Sequence, residues 1–250
     1  MADVPHLSYY PRNFCHKHTR VPILKQAMHK CIAAIVAIAL TVMLVSSCAP
    51  GAVTEQAKEL EAAQVKEYKG EKLSSVNDFR ENSIRGPQKV DIANYHLTVS
   101  GLVNNKTSYS YDDVITKHKT YQKLITLDCV EGWSVKLLWD GVLVKDLLNE
   151  TGIKPAAKIV IFHAVDGYTT SLPLQYILDN NILLAYKMNG ITIPAERGYP
   201  FQLAAQDKWG YKWIKWVDGI QLSDDENYRG FWEQAGYSND GSLNKSFFDR

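Results

Sequence analysis

Disulfides are ruled out for most of this chain. It holds four cysteines, and only Cys129 lies beyond residue 48. A solitary thiol closes no internal bridge, so the fold rests on its core alone. Charge of one sign is missing too. The formal net charge is +1 with 22% charged residues, which excludes a disordered polyelectrolyte and argues against a general nucleic-acid binder. Beyond residue 48 histidine is sparse: His96, His118 and His163 are scattered there, with no H-x-H or H-E-x-x-H pattern, so an all-protein zinc site has no support. No P-loop pattern, no G-x-S-x-G elbow and no repeat of solenoid or propeller length occurs. A Cys129–His163 protease pair lacks any orienting motif.

What is present is apolar and aromatic. Hydrophobic residues make up 46% of 250, and all six tryptophans lie between Trp133 and Trp232. That half of the chain can bury a large core and line a pocket. Near the start, Cys31 to Val45 runs fifteen residues without a charge, preceded by Lys25 and Lys30 and followed by Ser46-Ser47-Cys48. Basic, apolar and small, in that order, is the layout of a secretory signal. The run is shorter than the ~20 residues that span a bilayer comfortably. Val45-Ser46-Ser47-Cys48 resembles a lipobox, in which Cys48 becomes the lipidated first residue. The alternative is an uncleaved anchor helix. Either places the remaining chain outside the cytoplasm and tethered to a membrane. The expected organisation is therefore an N-terminal extension and signal over 1–47, a flexible or partly helical tether over 48–73, and one domain over 74–250.

Within that domain Tyr95 to Val103 alternates at period two and predicts a strand. Tyr111 to Thr116 opens a short helix, and Leu124 to Asp128 is a strand running into Cys129. Val142 to Leu148 has helical spacing closed by Gly152. Strands follow at Lys158–Ala164 and Ile182–Tyr186, with a short helix at Leu172–Leu178 between them, and a late strand at Ile214–Leu222. Short strands mixed irregularly with short helices give an α+β class without Rossmann rhythm.

Three segments stand together: Cys129-Val130-Glu131-Gly132-Trp133-Ser134; Asp166-Gly167-Tyr168 through Leu172-Pro173-Leu174; and Gly198-Tyr199-Pro200 followed by Trp209-Gly210-Tyr211-Lys212-Trp213-Ile214-Lys215-Trp216. In order and spacing they resemble the sulfite oxidase superfamily of molybdopterin-dependent oxidoreductases. The Cys129 segment is most similar to periplasmic methionine sulfoxide reductase catalytic subunits and their uncharacterised relatives. The resemblance covers roughly Asp78 to Leu222.

The resemblance implies a sulfite oxidase-like fold and a molybdenum–molybdopterin cofactor. Cys129 falls on the cysteine that binds molybdenum, a soft thiolate suited to a metal already held by sulfur. The metal then belongs to the cofactor, so no His/Cys cluster is required. Lys215, Lys212, Arg197, Gln202 and the backbone at Gly210 are the implied contacts of the cofactor, chiefly its phosphate, and Asn82 is a cofactor-proximal residue. Gln202 stands where many relatives have arginine, which removes one cation. Tyr168 matches a pocket tyrosine able to donate to the transferring oxygen. Glu131 matches an acid of the sulfoxide-reductase subgroup, and burial would raise its pKa toward proton delivery.

An anionic substrate beside Glu131 would be repelled, and no arginine cluster accompanies Cys129. The expected substrate is therefore a neutral S-oxide or N-oxide, small or peptide-borne, reduced by net oxygen removal. The alternatives are a sulfite-oxidising enzyme and a cofactor-free binding or assembly module of the same fold. No haem or iron–sulfur motif occurs, so electrons come from a separate donor, expected to be a membrane redox protein. One feature conflicts with export of a loaded molybdoprotein: no Arg-Arg pair precedes Cys31.

Overall fold

A computed structural model describes residues 54–248. The signal-like segment, Cys48 and the first residues of the expected tether lie outside them. Helix α1 spans Glu55–Ala63, capped by Thr54, and a two-residue hairpin follows as β1 (Glu67–Tyr68) and β2 (Glu71–Lys72). The body then runs β3 (Leu97–Gly101), β4 (Thr107–Tyr109), α2 (Tyr111–Lys117), β5 (Tyr121–Asp128), β6 (Ser134–Leu143) and α3 (Val144–Thr151). It continues with β7 (Ile159–Ala164), β8 (Thr169–Pro173), α4 (Leu174–Asp179), β9 (Leu183–Met188) and β10 (Ile191–Thr192). The last elements are β11 (Gln202–Ala204), β12 (Val217–Ser223) and α5 (Phe231–Gln234), with 3-10 turns at Ala195–Arg197 and Gly210–Lys212. This is the α+β class that the sequence predicts.

Two five-stranded sheets carry the body. One orders β10-β9-β6-β5 with β11 also on β9, all antiparallel. The other orders β4-β3-β12-β7-β8, antiparallel except for the β3–β12 pair. Alternation decides which face is wet. In β5, Ile125 and Leu127 point inward between half-exposed neighbours. Strand β6 differs: Val135, Leu137, Leu138 and Trp139 are all buried. It pairs with β5 on one side and β9 on the other, and burying each such side chain stabilises the fold by about 1.5–3 kcal/mol.

Two sequence expectations shift here. The helix expected from Val142 begins at Val144, because Val142 and Leu143 still pair with Leu184 and Leu183 as the end of β6. The expected tether does contain a helix, and its far end is fastened to the body. Asn189, fully buried, accepts from the Leu138 amide at 3.0 Å and donates to Gln64 Oε1 at 3.1 Å and to the Ser74 carbonyl at 2.9 Å. Asn189 and Gly190 have φ of 47° and 80°, the left-handed pair that turns β9 tightly into β10.

Candidate active site

Cys129 sits at the exit of β5. Its amide donates to the Trp133 carbonyl at 2.9 Å, and the Gly132 amide donates back to Cys129 O at 3.0 Å. This closed turn fixes the thiol in space. The side chain is buried, with 5% exposure. Burial pushes the thiol pKa up, against the backbone donors at Glu131 and Val130. A neighbouring cation or metal is what would make it a thiolate. The Asn82 amide nitrogen lies 3.7 Å from Cys129 Sγ, so the loop carrying Asn82 reaches the sulfur.

Gly210 packs against the same turn. A Cβ there would lie 3.3 Å from both Asp128 O and Cys129 Cα, so a larger residue would press on the thiol-bearing backbone. Trp209 bridges to Asp128 in parallel register, which pins this segment to the end of β5.

Two cavities meet at the thiol, one of about 150 Å³ and one of about 40 Å³. Asn82, Cys129, Gly210, Trp213 and Lys215 line both. The smaller adds Arg80, Arg197 and Gln202; the larger adds Glu131, Asp166, Tyr168 and an aromatic wall of Tyr211, Trp232 and Tyr237. Lys215 Nζ pairs with Glu81 at 3.2 Å and lies 4.5 Å from the centre of the Trp216 ring. Burial pulls the Lys215 pKa down, and the Glu81 carboxylate opposes it. Arg197 stacks over Phe79 at 5.1 Å, and burial lowers its pKa too.

The structure thus gathers Cys129, Asn82, Arg197, Gln202, Gly210 and Lys215 around one space. Three expected residues behave differently. Lys212, expected as a cofactor contact, is fully buried and lines neither cavity. Its ammonium is committed to Glu233 at 2.6 Å and to the Ser171 carbonyl at 3.0 Å. Glu131 lines the larger cavity but is exposed, not buried, with its carboxylate accepting from the Trp133 indole at 2.9 Å. Tyr168 also lines that cavity, yet its hydroxyl donates to the Tyr211 carbonyl at 2.5 Å. Burial and the nearby Glu233 carboxylate hold its pKa well above the usual phenol range.

Sequence reasoning missed Arg80, Asp166, Trp232 and Tyr237 as wall residues. Asp166 opens the Asp166–Leu174 segment and Arg80 lies two residues before Asn82. Trp232 and Tyr237 carried no local signal.

A buried thiol at the edge of a small cavity lined by Arg197, Gln202 and Lys215 is the class of site this geometry defines, one with polar and cationic groups gathered beside a single sulfur. Comparison agrees: the family described as oxidoreductase molybdopterin binding domain matches residues 84–232. The chain belongs to this family and is an oxidoreductase whose cofactor is the molybdenum-carrying molybdopterin. The "uncharacterized oxidoreductase YuiH" of Bacillus subtilis is 38% identical over 152 residues, which span 60% of this chain and 76% of that protein. The "putative protein-methionine-sulfoxide reductase subunit YedZ1" of Azospira oryzae is 34% identical over 60% of this chain, which spans only 57% of that relative. Among solved structures, the sulfane dehydrogenase SoxCD of Paracoccus pantotrophus shares the fold, with a TM-score of 0.54 and 22% identity over 56% of this chain and 41% of its own.

The residues present fit the cofactor. Arg197 Nε and Gln202 Oε1 are buried and without a hydrogen-bond partner, and both residues line the smaller cavity. An unmet buried polar atom costs about 1–3 kcal/mol, so a ligand there with donors and acceptors is stabilised. Gln202 offers an acceptor where a second cation would offer only donors, which suits a ligand group that itself carries N–H or O–H. Among the described residues no three His, Cys, Asp or Glu side chains converge on a metal position.

Proposed function

We propose that the enzyme reduces an S-oxide or N-oxide by removing its oxygen atom at a molybdenum bound through Cys129. We further propose that it works outside the cytoplasm, anchored by lipid at Cys48. The observation that carries the chemistry is the strand-end thiol with Asn82 over it, lining both the cation-bearing cavity and the carboxylate- and aromatic-lined one.

When bound, the cofactor supplies an oxygen acceptor and a two-electron couple. The chain's own groups divide the remaining work. Arg197 and Lys215 hold the anionic part of the cofactor in the smaller cavity, and Gln202 Oε1 accepts from an N–H or O–H of it. Asn82 supports the sulfur by an N–H donor, which favours the charged form of a thiolate. Gly210 keeps the backbone close enough for this contact. Tyr168, with its proton held on the Tyr211 carbonyl, orients the wall of the cleft and does not stand free as a donor. Glu131, exposed at the rim, exchanges protons between solvent and the cleft. The net reaction breaks one S–O or N–O bond, adds two electrons to sulfur or nitrogen, and releases oxygen as water with two protons. The electrons come from a separate donor, for which a membrane redox protein near the lipid anchor is the natural candidate.

The test pairs reduced viologen dye with a panel of S- and N-oxides and with sulfite plus an electron acceptor, using cofactor-loaded protein. Oxide-dependent dye oxidation, lost in Cys129→Ser together with bound molybdenum, is the expected result. Sulfite turnover without oxide reduction would reverse the assigned direction. Full activity in Cys129→Ser would remove the ligand assignment. Radiolabelled palmitate incorporated by the full chain and absent from Cys48→Ala is the expected result for the anchor.

A further inference from the structure

The larger cavity is walled by a segment at and beyond the end of the family match at residue 232. Rings in this segment form a chain of contacts with the cleft. Tyr168 and Phe231 are 5.8 Å apart, Trp232 and Tyr237 5.4 Å, and Tyr211 and Tyr237 5.1 Å. The wall is held firmly. Tyr211 Oη donates to the Ser238 carbonyl at 2.7 Å, and Glu233, between Trp232 and Tyr237 in sequence, is tied to Lys212. Aromatic faces carry the negative side of the ring quadrupole.

Charge around the thiol is sorted by side. Glu131 and Asp166 line the larger cavity alone, whereas Arg80 and Arg197 line the smaller alone. Lys215 touches both, but its ammonium is shared with Glu81. The Arg85 guanidinium lies beside Gly167 and lines neither. Two carboxylates and a ring wall with no unshared lysine or arginine make the larger cavity a place for positive charge.

We infer that this cavity selects oxides whose substituents carry a cation, through the faces of Trp232 and Tyr237, and disfavours oxides that carry an anion. This rests on the reduction reading above and names the substrate class of the same site.

The test compares two S-oxides with an identical reacting centre on the full-length, cofactor-loaded enzyme. Methionine S-oxide methyl ester is a cation, and N-acetylmethionine S-oxide is an anion. Expected is a KM roughly ten-fold lower for the cation, with kcat changed much less, as a cation held on an aromatic face provides. Trp232→Leu and Tyr237→Leu should each raise KM for the cation and narrow the gap, while Trp232→Phe, which keeps a ring and the packing, should preserve it. Tetramethylammonium ion supplies a readout independent of turnover: calorimetry should detect its binding to the enzyme, and Trp232→Leu should abolish that binding. Equal KM for the two oxides, or a preference for the anion, would overturn the inference while leaving oxide reduction in place. If neither oxide is consumed, the reduction reading fails, and tetramethylammonium binding alone decides whether the cavity takes cations.

Discussion

Lys212 and Glu233 form an ion pair at 2.6 Å with neither side chain exposed to solvent. Thr170 Oγ1 donates to the same Glu233 oxygen at 2.5 Å, so the pair joins β8, the Gly210–Lys212 turn and α5 at one point. All three elements contribute to or abut the cleft. A buried pair is weak support for stability when both members are replaced together, but removing one strands the other. Lys212→Met should therefore lower stability by about 3–5 kcal/mol. The double variant Lys212→Met with Glu233→Leu should recover much of that loss. Denaturant midpoints of the two variants check this, and a double variant no better than the single would refute it.

Asn82 is expected to matter for the cofactor and little for the fold. Its amide approaches the thiol from a part-buried loop and contributes to no sheet. Asn82→Ala should leave the unfolding midpoint within about 1 kcal/mol of wild type, as for a substitution outside the core. Bound molybdenum, measured by mass spectrometry after purification, should drop several-fold. Unchanged metal content would remove Asn82 from the site.

Gly210 has little room for a side chain. A methyl group would sit 3.3 Å from the carbonyl and Cα that carry the thiol, so alanine needs only a small local shift. Valine adds two further carbons in the same space. Gly210→Ala should keep partial molybdenum loading and Gly210→Val very little. Equal loading in both would mean that the backbone approach is unimportant.

Helix α2 gives a pH prediction. Asp113 accepts from Lys117 at 2.6 Å and closes a capping box with Ser110: its carboxylate accepts from the Ser110 amide at 3.1 Å and its own amide donates to the Ser110 hydroxyl at 3.1 Å. Those hydrogen bonds, from Lys117 first and Ser110 second, lower its pKa to about 2. The unfolded carboxyl titrates near ~3.9. A lowered folded pKa means that the stabilisation is complete above the unfolded value and fades as pH falls through about 4 toward 2. Asp113→Asn should melt below wild type at pH 6, and the two curves should converge below about pH 2. A gap that stays constant across this range would contradict the cap.

Much of this was readable in the residues because the signals were local. Alternation marked β3 and β12, and the strand read at Leu124–Asp128 pointed straight at Cys129. Strand β6 escaped notice because burial on both faces erases alternation. Val142 and Leu143 then merged with the helix that follows. Lys212 and Lys215 look alike in sequence, three residues apart around a 3-10 turn. Only packing shows one sealed against Glu233 and the other lining the cavities. Glu131 was placed correctly in the cleft but not in its exposure, since a turn residue's burial depends on what covers it. Trp232 and Tyr237 reach Cys129's cavity across a hundred residues of chain, a distance no spacing rule records.

The parallel pairing of β3 with β12 sets an order of events for the cell. Leu222 finds its partner in Gly101, a contact closed across more than half of the folded body. Lys215 lies just ahead of that late strand and Trp232 just after it. Synthesis must therefore pass Trp232 before every wall of the cleft is present. A cofactor that needs these walls can settle only once β3 and β12 have met across the body.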